Sequence, residues 1–396
     1  MANDPNRRLT AAYYTAFATQ GLSGAALGPT LPALAALTQT SLSGIAILFT
    51  VRALGTIFGS FYGGRLYDRL PGNPLTAAAL LAMAALLALV PLTGQLWLLA
   101  AVIAYLGAAM GVMNLGCNTL LVWLHRERVG PYMSGLHFCF GIGAFCSPLI
   151  IAQVLVWTGS IIAAYWVLAA MVVPVALWLW RLPSPAAPRA STGDTPDEPI
   201  DYRLVQLIVV FFFVYVGSEV TFGSWLYTYA VTLHLADEVS GAYLVSAFGG
   251  ALTLGRLASI PMASRFRPRN ILLADLLGGL AGMALILLWP ASAAALWAGT
   301  VVVGGALASV FPTMLSFVQR RMPVTGRVTG WFMIAGGVGA MLFPWLAGHL
   351  IEWIGPAAIM AMIAAGLGLA LVVLAVLRVF WHQPTRKVYE ELKEPA

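Results

Sequence analysis

The chain places one apolar stretch after another, each about long enough to cross a lipid bilayer, with only short polar connections between them. A crossing helix needs roughly 20 apolar residues. Windows of that kind fall near 9–37, 43–66, 75–93, 96–123, 132–156, 160–181, 203–232, 239–262, 270–289, 294–319, 327–351 and 357–381. Lipid offers no partner for unpaired backbone N–H and C=O groups, so each window is predicted to be a helix. Composition excludes the soluble alternative: 60% of residues are hydrophobic and 9% are charged, where a soluble domain carries about 25% charged residues to cover its surface. The expected fold class is an all-α membrane protein of twelve transmembrane helices.

The charge distribution orients the spans. Nineteen of the 21 basic residues lie at the N-terminus, in or beside the even-numbered connections, or at the C-terminus. The odd-numbered connections hold none, and the remaining two, Arg52 and Arg256, lie within spans. Basic residues stay on the cytoplasmic side, so both termini are expected there, in a cell inner (plasma) membrane. No block of like charge supports a nucleic-acid binder. Arg7 and Arg8 precede an apolar stretch that runs to Leu37 without a small-residue cleavage motif, so it reads as the first span rather than a signal peptide. Cys117, Cys139 and Cys146 lie in apolar helical stretches and read as small buried residues, with no metal spacing and no cofactor motif. Residues 182–202 are rich in Pro, Ser, Thr and acids. They read as a cytoplasmic linker dividing a first bundle (1–181) from a second bundle with a short tail (203–396).

The two parts repeat. Gly141-Ile142-Gly143-Ala144 followed by Pro148 matches Gly337-Val338-Gly339-Ala340 followed by Pro344, 196 residues on. Gly21 matches Gly217 at the same offset, and Ser43-Gly44 and Asn73 match Ser240-Gly241 and Asn270 at 197. Registered matches at nearly one offset indicate duplication, and six spans per copy give parallel repeats about an axis along the membrane normal.

These features, with Gly64, Asp68 and Arg69 in the loop after the second span, resemble the major facilitator superfamily and its G-x-x-x-D-R signature. The basic residues that usually follow are replaced by Leu70-Pro71-Gly72-Asn73. Tyr215 to Tyr229, Phe311-Pro312-Thr313 and Thr325 to Trp331 resemble the fucose-permease branch and its members related to sodium-dependent glucose transporters. The resemblance implies two six-helix bundles that expose a central cavity alternately to each side. It implies further that Asp68 caps a helix and locks the cytoplasmic side closed, against the start of the eleventh span or the basic pair Arg126 and Arg128, with Arg69 in the same gate.

Four charged residues fall well inside spans: Arg52, Glu219, Arg256 and Asp275. An intramembrane charge costs at least about 2.5–3.5 kcal/mol on insertion scales and must face protein or water. By residue count Glu219 and Arg52 lie at comparable depth, so they are expected to pair and to form the ion-coupling site. Arg256 and Asp275 lie nearer the cytoplasmic ends and are expected to pair beside the inner gate. Asn114 and Asn118 share a face of the fourth span at i and i+4, and Gln20 lies mid-span. These amides, His137, and the helical stripe Phe222, Trp225 and Tyr229 are the candidate solute-binding residues, because a ring of hydroxyls needs amides and stacking aromatics. Helix–helix hydrogen bonding is the alternative for the amides, and packing or an interfacial belt for the aromatics.

The sequence thus reads as a monomeric, non-enzymatic secondary transporter, with the bilayer and a small polar solute as partners. A monosaccharide is the expected solute. H⁺ symport is the expected coupling, with Na⁺ symport close behind it; uniport is a further alternative, because the first and fourth spans carry no acid where the branch it resembles often has one. A proton-coupled exporter of drugs or metabolites and a non-transporting membrane sensor are the rival readings.

Overall fold

In the computed structural model the described residues are 5–126, 129–185, 202–319 and 326–381. They form helices throughout. Those of the first part are α1 (Pro5–Ala25), α2 (Leu27–Leu37), α3 (Leu42–Ile45), α4 (Ile47–Tyr67), α5 (Gly72–Leu89), α6 (Leu96–His125), α7 (Val129–Thr158) and α8 (Ile161–Trp180). Those of the second are α9 (Tyr202–Thr232), α10 (Glu238–Arg265), α11 (Pro268–Leu288), α12 (Ala293–Leu307), α13 (Val310–Gln319), α14 (Gly326–Trp353) and α15 (Ala357–Trp381). Among the described residues, eleven stretches are long and apolar enough to cross a membrane.

Three windows expected as continuous helices are broken; that at 43–66 divides at Ala46 between α3 and α4. The first divides at Ala26 into α1 and α2, and α2 with 11 residues is too short to cross by itself. Pro29 lacks an N–H, so the carbonyl of Ala25 loses its partner one turn back and the helix bends there. The tenth divides at Ala308–Ser309 between α12 and α13, one turn before Pro312, for the same reason.

The matched sequence segments occupy matched places. In the first part α1 crosses α7 at Gly21 and Gly143: a Cβ on Gly21 would run into the Phe140 carbonyl oxygen, and one on Gly143 into that of Ala18. In the second, α9 crosses α14 at Gly217 and Gly339. A Cβ on Gly339 would run into the Phe213 carbonyl oxygen, and one on Gly217 would stand 2.7 Å from the Phe343 ring. Ser43-Gly44 and Ser240-Gly241 fall in the first turns of α3 and α10, capped by Ser41 and Asp237. The Ser240 amide donates to Asp237 at 2.7 Å and holds that carboxyl below its usual range. Asn73 accepts from Tyr13 at 2.7 Å and donates to Pro183 at 2.8 Å, tying α1, α5 and the chain leaving α8.

Helices on either side of residues 182–202 meet at mid-height or toward the end of the helices opposite Pro5. Ser43 of α3 donates to Glu352 of α14 from its amide at 2.8 Å and its hydroxyl at 2.6 Å. Gly348 of α14 packs on Ala46 and Leu42, Gly28 of α2 on Ser224 of α9, and Phe145 of α7 on Gly250 of α10. Gln153 of α7 hydrogen-bonds Tyr243 of α10, and Thr50 of α4 donates to Met341 at 3.4 Å. Toward the Pro5 end the same helices present exposed Phe58, Phe61 and Tyr62 on α4, Leu254 and Ile260 on α10, and Ile334 on α14.

Candidate functional site

Glu219 sits near the middle of α9 in a cluster drawn from four helices. One turn earlier on the same face, Tyr215 is fully buried and hydrogen-bonds Glu219 Oε2. The Tyr215 hydroxyl also lies 2.9 Å from the carbonyl oxygen of Leu307, the last residue of α12. Arg256 of α10 reaches to 3.7 Å from Glu219 Oε1, with 37% of its side chain exposed against 18% for the glutamate. Asp275 of α11 accepts a hydrogen bond from Ser309, in the break between α12 and α13. The four ionisable or phenolic groups therefore gather around the broken tenth helix.

Both expected pairings are corrected. Arg52 does not reach Glu219: its Nη1 donates to the Gly24 carbonyl at 2.9 Å, beside the break between α1 and α2, and its guanidinium lies 5.8 Å from the Phe49 ring centre. The partner of Glu219 is Arg256. Residue counting sets the depth of Cα atoms, whereas an arginine tip lies several ångströms away along the helix, and Arg256 uses that reach. Asp275 correspondingly takes Ser309 rather than Arg256.

The expected solute-binding residues are distributed as follows. Gln20 is buried, and its Oε1 has no hydrogen-bond partner among the described residues. Asn118 donates to Asn114 within α6, to the carbonyl at 2.8 Å and the side-chain oxygen at 3.3 Å. His137 is exposed, packs edge-on against Phe17 with ring centres 5.4 Å apart, and lies within electrostatic reach of Arg256. The stripe on α9 is closed off. Phe222 packs on Phe248, and Tyr229 is buried with its hydroxyl unpartnered among the described residues. Trp225 Nε1 donates to the Pro344 carbonyl at 2.9 Å and its ring lies 6.1 Å from Phe49 of α4. Trp225 thus belongs to the closure between α4, α9 and α14. An apolar groove of about 490 Å³ between α9 and α14, lined by residues such as Val209, Phe213 and Ile334, has no polar wall for a hydroxylated solute.

Of the gating residues, Asp68 ends α4 and is exposed with Arg69. Arg126 ends α6 with φ 49° and is also exposed. Arg128 and residues 320–325 lie outside the described residues, and among the described residues Asp68 forms no ion pair with Arg126. Sequence reasoning missed Tyr215, Ser309, Ser43 and Glu352 as functional contacts. Tyr215 carried a usable signal, since i and i+4 share a helix face. Glu352 did not, because an acid at a span end reads as ordinary flanking polarity.

The family model for the Major Facilitator Superfamily matches residues 13–344. The chain belongs to the major facilitator superfamily. Among members of the superfamily it is 30% identical to sodium-dependent glucose transporter 1 of Xenopus laevis, over 82% of this chain and 72% of that protein. It is 29% identical to sodium-dependent glucose transporter 1A of Mus musculus, over 85% and 88%. The nucleoside transporter NupG superposes with TM-score 0.71 at 14% identity, over 96% of this chain and 100% of that one. A bacterial homologue of the human lysosomal transporter Spinster, solved inward-facing and unoccupied, superposes with TM-score 0.66 at 13% identity, over 96% of each. The protein is a multi-pass membrane transporter of this superfamily.

Proposed function

We propose that the protein is a secondary active transporter that moves a monosaccharide by alternating access and couples it to H⁺. In this reading α1 and α2 form one kinked span, which completes twelve spans in two six-helix bundles, 1–181 and 203–396, joined by the 182–202 linker. The equivalent crossings Gly21/Gly143 and Gly217/Gly339 support that symmetry. Positive-inside charge puts the termini in the cytoplasm. The bundles then touch on the outer side and part on the inner side, an inward-open state.

The observation that carries the coupling assignment is Glu219, mid-membrane, held between Tyr215 and Arg256. A second cation at this carboxylate would lie within about 4 Å of the guanidinium, a repulsion of about 4 kcal/mol at an effective dielectric of 20. A proton meets the same repulsion, but it needs no ligand beyond the carboxylate and turns it into a neutral hydrogen-bond donor, whereas Na⁺ needs several further oxygen ligands around it. Na⁺ symport is the second reading, favoured by the names of the glucose-transporter relatives.

The sugar assignment rests on those relatives and on the amides Gln20, Asn114 and Asn118, with His137 at the opening. The test is uptake of labelled D-glucose and a panel of other monosaccharides into proteoliposomes under imposed H⁺ or Na⁺ gradients. Accumulation driven by the H⁺ gradient, abolished by a protonophore and by Glu219→Gln while exchange persists, is expected. Accumulation that follows Na⁺ and ignores the protonophore replaces H⁺ by Na⁺, and no uptake of any sugar rejects the substrate class.

A further inference from the structure

The Tyr215 hydroxyl has one hydrogen and faces two acceptors. Its oxygen is hydrogen-bonded to Glu219 Oε2 and lies 2.9 Å from Leu307 O. Leu307 closes α12, and the two residues that follow, Ala308 and Ser309, form the break before α13. The partner described for Leu307 O is this hydroxyl, from a different helix.

If Glu219 is ionised, both its oxygens are pure acceptors. Tyr215 must then give its hydrogen to the carboxylate, and Leu307 O is left unpaired. If Glu219 is protonated, its O–H donates to the Tyr215 oxygen, and the tyrosine hydrogen is free for Leu307. Only the protonated arrangement satisfies all three oxygens, and buried polar groups are paired in nearly every native structure. The surrounding charges compete with that proton rather than assist it. Arg256 of α10 stands 3.7 Å from Oε1, beyond hydrogen-bond length. Asp275 of α11 is occupied by Ser309 in the same break and lies within electrostatic reach of Tyr215. His137 of α7 packs on Phe17 and lies within electrostatic reach of Arg256.

We infer that Tyr215 is a hydrogen-bond switch that links the proton on Glu219 to the break in the tenth span, holding that break when the proton is on and releasing it when the proton leaves. This rests on the reading of Glu219 as the proton site. Tyr215 is a positioning residue: it moves no solute, and it converts a protonation event on α9 into a change of backbone geometry between α12 and α13. Ser309 and Asp275 hold the other side of the break independently, so loss of the Leu307 bond bends the helix rather than melting it.

The experiment uses full-length protein in nanodiscs with Cys117, Cys139 and Cys146 replaced by alanine, and spin labels on Val301→Cys and Ser316→Cys, both exposed positions on α12 and α13. Two signals are followed against pH: the infrared carboxyl band that disappears in Glu219→Gln, and the label-to-label distance across the break. In the parent the distance and the band are expected to change with one midpoint. Glu219→Gln should hold the low-pH distance at every pH. Tyr215→Phe, which removes only the hydroxyl, should leave the band titrating while the distance no longer follows it. A Tyr215→Phe protein whose distance still tracks the band, or a parent whose distance is constant while the band titrates, overturns the switch and leaves Glu219 as a proton site. A parent with no titrating Glu219 band overturns the proton-site reading, and the switch with it.

Discussion

Two arginines inside the membrane separate by what each one holds. Arg52 holds a backbone carbonyl at a helix break, Gly24 O at 2.9 Å, and has no acid in hydrogen-bond contact among the described residues. Arg256 holds the carboxylate that the coupling reading depends on. Their removal should therefore fail in different ways. Arg52→Gln orphans or weakens the bond to a half-buried carbonyl, which costs about 1–3 kcal/mol. It is expected to lower the melting temperature in detergent while gradient-driven accumulation survives in the folded fraction. Arg256→Gln leaves the fold close to intact, because the side chain is partly in water, and should abolish accumulation while exchange persists. Side-by-side melting curves and proteoliposome uptake decide this, and an Arg52→Gln protein that is stable but uncoupled would reverse the assignment.

The elements show where sequence reading succeeds and where it stops. Lipid allows almost nothing but helix, so apolar length alone located the spans, and Pro29 and Pro312 carried the bends that split the first and tenth. Two matching crossings were legible because a close helix crossing tolerates only glycine: Gly21 and Gly143 in one part, Gly217 and Gly339 in the other. The Glu219 pairing was not legible, because sequence offsets measure backbone depth and a long side chain bridges the difference. The closure around Trp225 was not legible either, since an aromatic stripe looks the same whether it meets a solute or a neighbouring helix. The crossings yield an element-scale prediction. Gly143→Ala and Gly339→Ala each force a Cβ against a backbone carbonyl, so the helices must part, at about 1–3 kcal/mol. Gly368→Ala on α15 meets no atom within 4 Å and should be neutral or slightly stabilising. Thermal unfolding of the three variants tests this, and equal melting temperatures would remove the argument that the crossings are as tight as they stand.

At the scale of the whole molecule, the proposed alternating access makes the balance between its two states depend on how firmly the ends opposite Pro5 hold together. Much of that closure is apolar packing of small residues, such as Gly348 on Ala46 and Gly28 on Ser224. Apolar surface gains little by association inside a membrane, where lipid is an equally good solvent, so packing alone discriminates weakly between the two states. The contact at the end of α14 is different. Glu352 accepts from both the amide and the hydroxyl of Ser43 in the first turn of α3, two charge-assisted bonds that hold only while these ends are together. An amide in place of the carboxylate keeps one acceptor oxygen and turns an NH₂ group toward the second donor, so Glu352→Gln should lose most of that bidentate hold. A coupling of 1–3 kcal/mol corresponds to roughly a 5- to 150-fold change in the ratio of the two states. Spin labels on Ala36→Cys and Ile354→Cys, on either side of the closure, should report one short distance in the parent and a second, longer population in Glu352→Gln. Ser43→Ala removes the hydroxyl but keeps the amide donor, so its longer population should be intermediate. A single unchanged distance in both variants would mean that packing by itself holds these ends together and that the Glu352 contact follows closure without contributing to it.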